Sequence, residues 1–153
     1  MASFRTGTHI DAPPSRVWAV LCDWEGSAAW MVDATTVEVL GSRRTGVGTR
    51  VRAVTRIAGL PLVDEMEVVG WDEGRRIEVE HHRWPIRGRA WFTLEPSESG
   101  TRFEWGEDLH PPLGPLGEAG GRMLRRPIER VLRRSAAKLK ALAEGREAPG
   151  GVA

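Results

Sequence analysis

Hydrophobic and polar residues alternate with a period of two along most of this chain and with a period near 3.6 at its end, and the two rhythms predict its elements. Residues 3–11 read as a first strand. Ala12-Pro13-Pro14-Ser15 then stops the strand and starts a helix, because proline's fixed φ and missing N–H suit a first helical turn; Asp11 is placed to cap the free amides. Val17, Val20, Leu21 and Trp24 share one face of that helix, Gly26 interrupts it, and a second short helical piece is expected over Ala28, Ala29, Trp30 and Met31. Strands are expected at 36–40, 48–57, 63–71, 77–84, 88–95 and 101–109, separated by turns rich in glycine, proline, serine and aspartate at the spacing of an antiparallel sheet. From Pro111 onward the pattern turns helical to about Ala143. Leu124, Ile128, Val131, Leu132, Ser135, Leu139 and Leu142 form a stripe that must be buried, against the sheet, with a kink or break expected at Pro127. Residues 1–146 thus make one α+β domain, and 147–153 read as a disordered tail.

Strand phase says which polar residues face inward. Thr101, Phe103, Trp105, Glu107 and Leu109 share a face, and its apolar members place Glu107 inside. Ile77 and Val79 carry His81 and Arg83 inward in the same way, and Met66 and Val68 carry Asp64. Val69 and Trp71, apolar on the opposite face of that strand, signal a bulge that would shift the phase by one.

Composition narrows the classes. With 153 residues, 41% hydrophobic and 28% charged, the chain has the profile of a globular domain, and no apolar run is long enough to span a bilayer. The N-terminus lacks the features of a signal peptide, so a cytoplasmic location is expected. Cys22, the single cysteine, excludes an internal disulfide and sits among Val20, Leu21 and Trp24, which suits packing rather than nucleophilic chemistry. A net charge of +1 gives no reason to expect nucleic acid. The charge is uneven, however: from Arg122 to Arg146 nine basic residues stand against two acidic ones, which makes the last helix a solvated basic face and a candidate for weak contact with anionic lipid or an acyl carrier protein. Gly46-Val47-Gly48 lacks the rest of a phosphate or dinucleotide fingerprint, and His81-His82 point to opposite faces of a strand, so neither a cofactor nor a metal is expected.

The chain carries the phrases Ile10-Asp11-Ala12-Pro13-Pro14-Ser15-Arg16-Val17-Trp18, Gly46-Val47-Gly48-Thr49, Met66-Glu67-Val68-Val69-Gly70-Trp71-Asp72, Leu94-Glu95-Pro96, Gly100-Thr101-Arg102-Phe103 and Leu139-Lys140-Ala141-Leu142. Together they resemble the START-like (SRPBCC) superfamily, in particular its polyketide cyclase/dehydrase and lipid-transport branch. The resemblance implies a helix-grip fold: a seven-stranded curved antiparallel sheet wrapped around a long C-terminal helix, with two short helices between strands 1 and 2. It also implies a cavity for a hydrophobic small molecule. Trp30, Met31, Asp64, Met66, Val68 and Val79 are expected to line it, as are Phe92, Phe103, Trp105, Met123, Leu124 and Ile128. Seven tryptophans and four methionines suit such a wall.

Two functions then compete. A cyclase or dehydratase would need a base to take a proton beside a carbonyl, for which Glu107 and His81 are the candidates, and a donor to hold the resulting oxyanion, for which Arg83 is the candidate. A lipid, quinone or polyketide carrier, monomeric or homodimeric, would need only the walls and an anchor. The chain has no tyrosine, so tryptophan N–H, serine, threonine or water must supply any neutral donor.

Overall fold

Alternation along the chain becomes one antiparallel sheet of seven strands in the order β1-β7-β6-β5-β4-β3-β2. The strands are β1 (Ala2–Ile10), β2 (Ala34–Leu40), β3 (Arg50–Ile57), β4 (Leu60–Asp72), β5 (Arg76–His81), β6 (Gly88–Ser97) and β7 (Gly100–Leu109). Helix α1 (Pro14–Cys22) and a 3₁₀ turn (Glu25–Ala29) lie between β1 and β2, and helix α2 (Gly114–Ala143) follows β7. This computed structural model describes residues 1–57 and 59–146; the expected tail at 147–153 lies outside the described residues.

The bulge foreseen in β4 is present. Register with β5 slips between Val68 and Gly70, so Val68 pairs with Val79 while Trp71 pairs with Ile77. Asp64, Met66 and Val68 therefore point inward before the bulge, and Trp71 joins the same face after it. Its ring meets Trp18 of α1 edge-on, with centroids 5.1 Å apart. One carboxylate bridges the pair: Trp18 Nε1–H donates to Glu73 Oε1 (3.1 Å) and Trp71 Nε1–H to Oε2 (2.7 Å). With Val17 and Leu21 of α1 also buried, this end of the grip is sealed. Cys22 packs at its edge, and burial, then the Glu73 charge, pushes its thiol pKa up to about 11, which keeps it a protonated, unreactive side chain.

Three local expectations are corrected. Asp11 does not cap α1; Pro13 holds the cap position without a side-chain bond, and Asp11 instead offers its N–H to Glu144 and its carboxylate to His9. Pro127 does not break α2, which runs unbroken from Gly114 to Ala143. The amide it lacks would have bonded the carbonyl of Met123, a residue on the solvent side, so water can satisfy that group. Finally, only the middle of the helical stripe is buried. Leu132, Ser135, Ala136 and Leu139 pack inward, whereas Leu124 and Leu142 are exposed, because α2 lies along β1 at the sheet's edge and against α1 rather than across the middle of the sheet.

The C-terminal end of α2 is fastened to the end of β1. Lys140 Nζ donates to the His9 carbonyl (2.6 Å). Glu144 accepts from the Asp11 N–H (3.0 Å), Lys140 (2.7 Å) and Arg146 Nε (2.8 Å). Desolvation raises the pKa of Glu144, but these bonds outweigh it and bring the pKa down to about 2. A carboxylate depressed in the fold stabilises it above the unfolded pKa and loses that effect as pH falls through the folded one. Because the cationic partners remain partly hydrated, Glu144→Gln should cost about 1–2 kcal/mol at neutral pH. Urea unfolding should show that gap closing as pH drops from 4.5 towards 2.

Candidate functional site

Towards one end of the concave face the sheet holds ionisable groups away from water. His81 ends β5 and Asp64 lies on the neighbouring β4, both almost fully buried. His81 Nδ1–H donates to both carboxylate oxygens of Asp64, at 2.9 and 3.0 Å. A carboxylate can only accept, so this contact fixes the proton on Nδ1 and leaves Nε2 as the reactive nitrogen. Nε2 is buried and has no partner among the described residues. Burial opposes charge on the ring, but the Asp64 hydrogen bond, the Asp64 charge and the Glu107 charge outweigh it and raise the His81 pKa.

Glu107 lies on β7, one inward-facing row nearer the sealed end than the row that joins His81, Gly88 and Leu109. Desolvation pushes its carboxyl pKa up to about 7; the His81 charge pulls it down, and Asp33 and Asp64 push it up. Asp33, between the 3₁₀ turn and β2, is raised too, by burial first and by Asp64 after its own backbone contact is offset. The shifts of Asp33, His81 and Glu107 thus have a common origin, burial together with one another's charges and that of Asp64. Gly88 permits the close packing beneath it: a Cβ there would sit 2.0 Å from the Asp108 carbonyl oxygen, and its φ of 140° suits glycine alone.

Aromatic rings form the floor under the cluster. Trp30 stands edge-on to Phe92 (6.1 Å) and to Trp105 (5.9 Å), and Phe92 stacks on Phe103 (6.1 Å). These rings fill the centre of the grip where the sequence led us to expect open space, and two concavities of about 630 and 450 Å³ lie outside it, on the convex sheet face and along α2. The indole N–H groups of Trp30 and Trp105 and the hydroxyl of Thr55 are buried without hydrogen-bond partners among the described residues. The Trp105 indole is near enough to Glu107 to lower its pKa, yet their geometry falls short of a hydrogen bond.

Of the residues expected to do chemistry, the fold brings Glu107, His81 and Asp64 together and leaves Arg83 out. Strand β5 stops at His81, the chain turns, and Arg83 is 54% exposed, facing Glu65 on the convex side at 3.6 Å. Among the expected wall residues, Trp30, Val68, Val79, Phe92, Phe103 and Trp105 are buried, and Met31, Met66 and Ile128 pack partly buried against them. Met123 and Leu124 are exposed on the first half of α2 and line nothing. Asp33 and Thr55 were missed. Asp33 sits in a connection with no period to read; its one signal is its place three residues after Trp30, the ring that fills the grip.

The family model described as polyketide cyclase / dehydrase and lipid transport matches residues 1–144. The chain belongs to that family. Among solved structures, this cyclase/dehydrase and lipid-transport family member is similar to a protein of Thermus thermophilus, 20% identical with a TM-score of 0.81, covering 94% of this chain and 97% of the other. A START superfamily protein of Mycobacterium smegmatis is 14% identical with a TM-score of 0.76 (93% and 99% covered). The Zhui aromatase/cyclase from a Streptomyces species is 21% identical with a TM-score of 0.74 (98% of each chain). At these identities the likeness is one of fold. No curated protein sequence matches the chain. Among the described residues of this family member, no helix is long and apolar enough to cross a membrane.

The raised groups give a pH signature. A carboxyl whose folded pKa exceeds its unfolded one contributes stability below the unfolded value and loses it as pH rises through the folded value, here from 4.5 through about 7. His81, raised as well, acts in the same direction. Glu107→Gln should therefore match the parent below pH 4.5 and exceed it by about 2 kcal/mol near pH 8 in denaturant titrations. In Asp64→Asn the His81 pKa should fall, as read from its ring protons by NMR.

Proposed function

We propose that this protein binds a hydrophobic, carbonyl-bearing small molecule within the grip and acts on it by acid/base chemistry. The observation that carries the reading is the buried His81 Nε2, unpartnered among the described residues and backed by Asp64, beside a Glu107 carboxyl whose pKa is about 7. A base poised near the working pH can take a proton from the carbon next to a carbonyl, and a carboxyl that keeps its proton near neutrality can return one. The two roles fit these two residues. Enolate oxygen needs donors, and the unpaired indole N–H groups of Trp30 and Trp105 are the neutral donors at hand in a chain without tyrosine. Arg83, exposed and facing Glu65, has no part in this scheme.

Binding requires the ligand's rings to displace or stack against the aromatic floor, so tryptophan emission reports it. Titration with a flat aromatic ketone such as 2-tetralone should change that emission saturably. In D₂O the protein should speed exchange of the protons beside its carbonyl, and His81→Ala or Glu107→Gln should slow that exchange about a hundredfold or more with binding retained. Saturable binding with no faster exchange would leave the carrier reading in place and remove the catalytic one.

A further inference from the structure

The end of the grip opposite the Trp18–Trp71 seal carries an unusual surface. The sheet register places the start of β1, the end of β7, the turn before β6 and the hairpin that opens β4 all at this end. Large apolar side chains project from three separate elements there: Leu60 on the hairpin (68% exposed), Trp84 in the 82–87 turn (68%), and Leu113 and Leu116 at the start of α2 (77% and 79%). Met123, 83% exposed, follows Leu116 by seven residues and so repeats it on the same outward face of α2. Neither belongs to the face that packs on β1.

Arginines continue that outward face. Arg126, Arg130, Arg133 and Arg134 line a groove of about 450 Å³ along the helix, with Glu129 beside them. Helix α2 carries eight basic residues against two acidic ones, while the chain as a whole has a net charge of only +1. Exposed Arg56 and Arg87 flank the hairpin and the turn.

We propose that this end, together with the outward face of α2 that runs back from it, is a docking surface for an anionic lipid bilayer. Leu60, Trp84, Leu113, Leu116 and Met123 would enter the interface while the α2 arginines engage lipid phosphates. Tryptophan and leucine beside clustered arginine are the chemistry of an interfacial contact, in which apolar burial and attraction to anionic headgroups add. Charge complementarity selects an anionic partner. The spread of apolar groups over three elements around one end selects an extended surface, since an acidic carrier protein needs only the basic helix. Docking stands on these surface residues alone. Only its link to the site, that ligand would pass between bilayer and grip at the end nearest His81, rests on the function proposed above.

Co-sedimentation of the full chain with vesicles tests it. We expect binding to phosphatidylcholine mixed with phosphatidylglycerol, little binding to phosphatidylcholine alone, and weakening by salt. Leu116→Ser/Met123→Ser should bind at least about tenfold more weakly. Arg126→Glu/Arg130→Glu/Arg133→Glu should bind about a hundredfold more weakly. All of these residues are exposed, and unchanged circular dichroism would confirm that the variants fold. Absence of binding to anionic vesicles at low salt would overturn the proposal. So would binding that Leu116→Ser/Met123→Ser leaves undiminished, because the contact would then be purely electrostatic, as with an acidic protein. Neither result bears on 2-tetralone binding or exchange.

Discussion

Everything at the centre of this molecule follows from the cost of taking charge out of water. Asp64 and His81 are both nearly buried, and removing one member of such a pair strands the other without its partner in a low-dielectric interior, a loss of about 3–5 kcal/mol. They are tolerable only as partners. Their contact sets the tautomer of the ring and leaves Nε2 free, and it makes that part of the concave face polar while aromatic rings fill the rest. Glu107 and Asp33 enter the same space and answer its low dielectric by holding their protons more tightly.

The sheet makes this arrangement precise enough for chemistry. Paired strands hold His81, Asp64 and Glu107 in fixed register, and the bulge at Val69 lets β4 present Asp64 at one end and Trp71 at the other on one face. Without the bulge the two would point to opposite sides. Side chains on paired strands are better positioned than side chains on loops, which matters for proton transfer over hydrogen-bond distances.

The direction of side chains on strands was legible in the sequence, because period-two alternation carries it. Glu107, His81 and Asp64 were placed inward that way, and the bulge was expected from the same pattern. Arg83 shows where the rule stops: alternation was carried two residues past the true end of β5, and a turn reverses direction without leaving a mark in the pattern. Asp33 lies in a connection, where there is no phase at all. The long helix was half legible. Its stripe of Leu124, Ile128, Leu132 and Leu139 is real in sequence, but what a helix lies against is decided by tertiary placement, and α2 runs along the edge strand β1, which covers Leu132 and Leu139 and leaves Leu124 exposed. The fold class was the most secure reading, since it depends on the order of elements rather than on their edges.

The carboxylate of Glu73, shared by two indoles, has a consequence for the shape of anything the protein can hold. It closes one end of the grip, and Trp30 with Phe92 and Trp105 fills the interior to within one strand row of Glu107. Under the function proposed above, a molecule that reached His81 would have gone only a short way in. A long one would present its leading ring or carbonyl to the polar groups and leave its remainder outside, so selection would fall on the head of the molecule, and tails of many lengths could be accepted equally.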